Sequence, residues 1–159
     1  MSVLLKIENT DSCAVIPDDV YLRIGNYRYY LYGNGKGSIV RFTGSNNHKS
    51  AISLAQDVMQ DRHNMYDHKD RDPFNNMPDN LRQSSYTQNA RNRSKMKKAC
   101  SSRFKGVALK KATKRWAAYI CVNYEIIHLG YFDSEIEAAI AYNNAAIKFF
   151  GAFANLNVI

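Results

Sequence analysis

At 159 residues and 18.2 kDa, the chain has room for one ordinary domain or two very small ones. Its 45% hydrophobic content excludes disorder throughout, and no run approaches a membrane span. The net charge of +8 is unevenly spread: residues 1–60 carry six Lys or Arg against five Asp or Glu, whereas residues 91–115 hold eleven basic residues and no acidic one. Such a field favours nucleic acid through phosphate contacts and counterion release. The cysteines Cys13, Cys100 and Cys121 form no CxxC, which argues against a structural zinc of the usual kind and a disulfide framework. The start, MSVLLKIENTDS, has no basic n-region and only a three-residue apolar run, so it is not a signal peptide, and a cytoplasmic setting is expected.

In chain order, residues 20–24, 28–32 and 38–43 are rich in Val, Ile, Tyr and Phe and read as antiparallel strands. Turn residues separate them, Gly25-Asn26 first and then a run from Gly33 to Gly37. That second run is a hairpin turn rather than a phosphate-cradling loop, because a strand and not a helix follows it. Residues 50–60 switch to helical spacing, with Ala51, Ile52, Ala55, Val58 and Met59 on one face. His48 and His63 stand in polar contexts that suit surface histidines.

Residues 65–92 concentrate the chemistry. Asp67 and His68 are adjacent, Asn80 follows the His by twelve positions, and Asn89 lies nine further on. Carboxylate and amide oxygens suit Mg²⁺ or Mn²⁺, and imidazole is the usual side chain for activating water near neutral pH. The same segment, DRDPFNNMPDN, is also what a plain polar loop looks like. Ser85 and Gln88 form a capping box that starts a helix near Tyr86 and puts Asn89 in its first turn. The expected order is a strand with Asp67-His68, a long loop, a short strand at 80–82, then the helix. That order would converge one carboxylate, one imidazole and two amides.

The strings D-H-x-D, N-N, N-L-R and Q-N, across about residues 50–92, resemble the HNH endonucleases of phage and intron-borne homing enzymes, which carry a ββα-metal finger. The resemblance implies His68 as general base, Asp67 and Asn89 as ligands of a divalent metal (Mg²⁺ or Mn²⁺), and Asn80 either orienting His68 or bracing the loop. Arg82, Arg91 and Arg93 would clamp phosphates. Two positions depart from the pattern: Arg71 stands where the family usually has Gly, and Ala55-Gln56 where many members have His-Arg. One finger per chain suggests nicking by a monomer, whereas cutting both strands would need a dimer or two binding events; the resemblance implies a phage-infected or bacterial cell.

Residues 93–102 form a basic linker with little apolar content. Beyond it, residues 104–111, 115–122 and 126–132 alternate as strands. Ser134 and Glu137 make a capping box, and an alanine-rich helix over 138–150 ends at Gly151. By strict alternation one sheet face carries Val107, Leu109, Trp116, Ala118, Ile120, Ile127, Leu129 and Tyr131, which should pack beneath the helix. The other carries Ala108, Lys110, Arg115, Ala117, Tyr119, Cys121 and His128. The strings F-K-G-V, R-W-A-A-Y-I, H-L-G-Y-F-D and E-A-A-I-A-Y-N-N-A-A-I-K-F-F-G-A-F-A-N-L-N resemble the APETALA2/ethylene-response-factor DNA-binding domain across this unit. That resemblance implies a three-stranded sheet in the major groove of double-stranded DNA. Lys105, Lys110, Tyr119 and His128 would face DNA, with Arg115 on phosphate. Ala108, Cys121 and Ile126 replace arginines of the plant pattern, so plant-type sequence preference is not implied.

The sequence therefore predicts an α+β chain: a ββα-metal finger with N-terminal antiparallel strands over 1–92, the linker, and a three-stranded antiparallel sheet packed on one helix over 103–159. The function it suggests is a metal-dependent DNA endonuclease, positioned by a C-terminal DNA-binding module. The rival reading is a non-catalytic, sequence-specific DNA-binding regulator. RNA binding rests on charge alone, with no aromatic platform of the RNA type apparent.

Overall fold

The computed structural model describes residues 1–33, 37–44, 50–92 and 101–159. His48, Cys100, Arg93 and the linker up to residue 100 lie outside those residues. The chain is mixed α+β with antiparallel sheets and divides into two compact units, Met1–Thr87 and Gln88–Ile159.

The first unit opens with a hairpin, β1 (Ser2–Lys6) against β2 (Cys13–Pro17), in the register Leu4–Val15. Leu5, Ala14 and Ile16 alternate inward from it to the core. Residues 20–24, expected as a strand, instead lie in helix α1 (Asp18–Ile24). Pro17 caps its start, Asp18 and Asp19 sit in the first turn and Arg23 in the last, an arrangement that complements the helix dipole. Val20 and Ile24, four apart, are its buried pair. A three-stranded sheet follows in the order β3 (Tyr30–Tyr32), β4 (Ser38–Thr43), β5 (Ser50–Ser53). Tyr32 pairs with Ser38, so the glycine run does join two antiparallel strands.

The helix expected over residues 50–60 is divided. Its first four residues pair with β4 as β5, and only Leu54–Met59 coil, as α2. Ser53 marks the boundary: its hydroxyl accepts from the Gln56 amide while the Gln56 side chain accepts from the Ser53 amide. Gln60 ends the helix at φ 55°. Strands β6 (Met65–His68) and β7 (Leu81–Ser84) then pair antiparallel, with Asp67 opposite Arg82. Helix α3 (Tyr86–Asn92) straddles the boundary between the units.

The second unit holds β8 (Val107–Lys110), β9 (Arg115–Val122) and β10 (Glu125–Phe132) in the order β10-β9-β8, covered by α4 (Glu135–Phe150). The Ser134–Glu137 capping box is formed and Gly151 caps the other end at φ 51°. Asn123 and Tyr124, both at positive φ, make the two-residue turn from β9 to β10. Ala118, Ala138, Ala139 and Ala146 are fully buried, and these small side chains bring α4 close to β9. Trp116 packs at the edge of this core, as expected.

Candidate nucleic-acid interface

Cross-strand partners in an antiparallel pair share a face. On the second sheet this places Lys110 beside Arg115, Ala108 beside Ala117, and Tyr119 beside His128, all away from α4. Tyr131 joins them, contrary to strict alternation. His128 pairs with Tyr119 but Gly130 pairs with Ala118, so Leu129 is an extra residue in β10. This β-bulge reverses the faces beyond it: Tyr131 turns outward, while Phe132 turns in against the helix core. Tyr131 is thus a site residue that alternation assigned to the core. The sequence signal for it was Gly130, which sits at φ 138°.

The outcome is a row of rings. The Tyr119 and His128 centroids are 5.0 Å apart, and those of His128 and Tyr131 are 4.5 Å apart. The Lys110 ammonium lies 5.2 Å from the Tyr119 ring, and interaction with the Tyr119 side chain raises its pKa. Arg115 donates through Nε to Asp133 Oδ1 at 3.0 Å and through Nη2 to the Tyr131 carbonyl at 3.2 Å, with both charged side chains well exposed. Two other basic candidates are engaged away from this row. Lys105 Nζ donates to the Arg91 carbonyl at 2.9 Å. The Arg91 guanidinium lies 4.9 Å from the Phe150 ring and 3.4 Å from Asn123 Oδ1.

Of the residues expected to form a nuclease site, Asp67 and His68 lie on β6, Asn80 just before β7 and Asn89 on α3. Asp67 is buried, and its Oδ2 accepts from both Nε (3.0 Å) and Nη2 (2.7 Å) of Arg82. A carboxylate committed to a guanidinium is a poor cation ligand, and the same pairing draws Arg82 away from a phosphate. Among the described residues no group of three His, Cys, Asp or Glu could hold a metal.

His68 Nε2 lies 3.1 Å from Oδ1 of Asn76, a fully buried residue that no role had been given. Asn80 is bonded within the loop. Its amide donates to Asp70 Oδ1 at 2.9 Å and to the Asn75 carbonyl at 2.8 Å, while its own oxygen accepts from the Asp70 amide. Burial disfavours the Asp70 charge, but bonds from the Asp72 amide, Asn80 and Asn75 prevail and lower its pKa.

No family model matches the chain. It is 48% identical over 59 residues to APETALA2-like protein 2 of Oryza sativa, in both the indica and japonica subspecies, which is 36% of this chain and 13% of that protein. It is 39% identical over 59 residues to AP2-like ethylene-responsive transcription factor TOE2 of Arabidopsis thaliana, 37% of this chain and 12% of that protein. The match thus spans about an eighth of the length of these curated relatives. These partial relatives support an APETALA2-like domain in the chain. They overturn the endonuclease reading, since the relatives are APETALA2-like proteins and one is named a transcription factor. The phage setting falls with it, because these relatives are plant proteins.

Proposed function

We propose that the chain is a non-enzymatic, sequence-specific binder of double-stranded DNA that acts as a transcriptional regulator. The observation that carries this reading is the aligned Tyr119–His128–Tyr131 row, flanked by Lys110 and Arg115, on the face of a sheet whose other side is buried on α4. A β-ribbon fits a major groove about 12 Å wide, and side chains from its centre reach base edges. Tyr and His supply hydrogen-bonding edges for that contact, and Lys110 supplies positive charge for a guanine edge or a phosphate. Arg115 reaches phosphate by exchanging Asp133, at little cost because an exposed ion pair contributes about 0–1 kcal/mol. The likeness to APETALA2-like proteins, and one relative's name as a transcription factor, support the same reading.

The test is selection of a random duplex pool by the full chain, followed by sequencing. Enrichment of one motif, lost on Tyr119→Ala, supports the proposal. Retention of every sequence equally would contradict sequence-specific reading.

A further inference from the structure

The first unit carries an aromatic face of its own. Register puts Tyr30, Tyr32 and Phe42 on one side of the β3–β4–β5 sheet, opposite Leu31 and Ile39, which enter the core. Register places Ser38, Val40, Ala51 and Ser53 on the same side, Val40 being buried there. Phe42 lies 6.3 Å from each tyrosine ring, edge-on to Tyr32. Tyr32 is 67% exposed and Phe42 46%. At one end of this face is a pocket of about 440 Å³ lined by Tyr27, Arg28, Tyr30, Arg41 and Phe42, with no acidic residue in its lining. Arg41 is matched by buried Asp57 and lies 4.2 Å from the Tyr27 ring. Arg28 is exposed, and its side chain makes no ion pair among the described residues.

Rings this exposed contribute little to folding stability, and a contiguous patch of them marks a binding surface. Base faces stack on aromatic side chains, and a neighbouring cation meets the phosphate. Base pairs in a duplex hide those faces, so the matching occupant is unpaired. We propose that this face binds single-stranded DNA, with bases stacked on Tyr32 and Phe42 and a phosphate on Arg28. The choice of DNA rests on the duplex reading of the second unit. The stacking surface does not.

The test is fluorescence anisotropy of the full chain with four labelled probes. These are oligothymidylate of about a dozen nucleotides, an abasic strand of equal length, oligouridylate, and a duplex. Oligothymidylate should bind about tenfold tighter than the abasic strand, which keeps the phosphates but offers no rings. Tyr32→Ala and Phe42→Leu should each remove most of that preference while leaving duplex affinity and the melting temperature unchanged. Arg28→Ala should weaken oligothymidylate and the abasic strand alike. Equal affinity for these two strands in the parent chain, or a preference that survives the Tyr32→Ala/Phe42→Leu pair, would overturn the proposal. Tighter binding of oligouridylate would overturn the choice of DNA. If duplex binding fails while the ring-dependent preference stands, the duplex reading falls, the stacking surface stands, and the choice of DNA is decided by oligothymidylate against oligouridylate alone.

Discussion

The His128 ring packs 4.5 Å from that of Tyr131, three positions along the same strand, because Leu129 is an extra residue opposite β9. The contact makes an outward-facing residue of a tyrosine that strict alternation would bury. Truncating it separates the two placements. Tyr131→Ala should change stability by no more than about 0.5 kcal/mol, as expected of an exposed side chain, and weaken duplex binding about tenfold. Urea denaturation read beside a gel-shift titration checks both. A loss of about 3–5 kcal/mol would place Tyr131 in the core instead.

Gly106 is where β8 approaches both β9 and α4. It sits at φ 74°, and a Cβ there would lie 2.1 Å from the Tyr142 ring and 2.4 Å from the Tyr119 carbonyl. Neither neighbour can yield freely, since Tyr142 is buried and the carbonyl belongs to a central strand. Gly106→Ala should cost roughly 2–4 kcal/mol, from overpacking together with backbone strain. Calorimetry of the variant tests this, and a melting temperature equal to the parent's would refute it.

In the first unit Asp57 is held from two sides. Tyr29 donates to its Oδ2 at 2.6 Å and Arg41 Nη2 to its Oδ1 at 2.9 Å, all three residues being buried. Burial opposes the carboxylate charge, but these bonds prevail and lower its pKa, while burial and Asp57 raise that of Tyr29. Arg41→Met leaves a buried carboxylate without its cation and should cost roughly 3–5 kcal/mol. The Arg41→Met/Asp57→Leu pair should recover much of that loss in urea melts.

Asp61 should report acid sensitivity. Its carboxylate accepts from Asn64 Nδ2 at 2.7 Å, the His63 amide at 3.0 Å and the Tyr66 hydroxyl at 2.8 Å, and these bonds lower its pKa from 3.8 to about 2. A depressed folded-state value means a stabilising contribution that is complete above pH 3.8 and lost as pH falls towards 2. Carboxyl carbon shifts followed by NMR should show the low midpoint, and Asn64→Ala should move it back upward.

How far the sequence carries depends on which signals act locally. The Ser134–Glu137 cap, the alanine run and Gly151 all point to one helix, and α4 forms there. Pairwise alternation also places Lys110, Arg115, Tyr119 and His128 on one face, because no irregularity lies between them. It fails at Leu129, since a single inserted residue reverses every later side chain. Residues 20–24 read as a strand by composition, whereas the acidic first turn after Pro17 and the Val20–Ile24 spacing fit a helix. The apolar positions of 50–60 fit a helical face, but Ser53 caps midway through them. Asp67, His68 and Asn80 stand at motif spacing, yet the β6–β7 register sets Asp67 against Arg82, a pairing invisible without the strand partners.

The central claim is that the β8–β9–β10 face holds duplex DNA. It is tested most directly by the salt dependence of affinity for an enriched duplex, measured for the parent chain and for Lys110→Ala. The account predicts that affinity falls steeply with salt and that Lys110→Ala binds more weakly, with a log–log slope shallower by about 1 if the lysine meets a phosphate. An unchanged slope with weaker binding only to the enriched sequence would put Lys110 on a base edge, which the account also allows. Unchanged affinity and slope in Lys110→Ala, repeated in Tyr119→Ala, would contradict the claim.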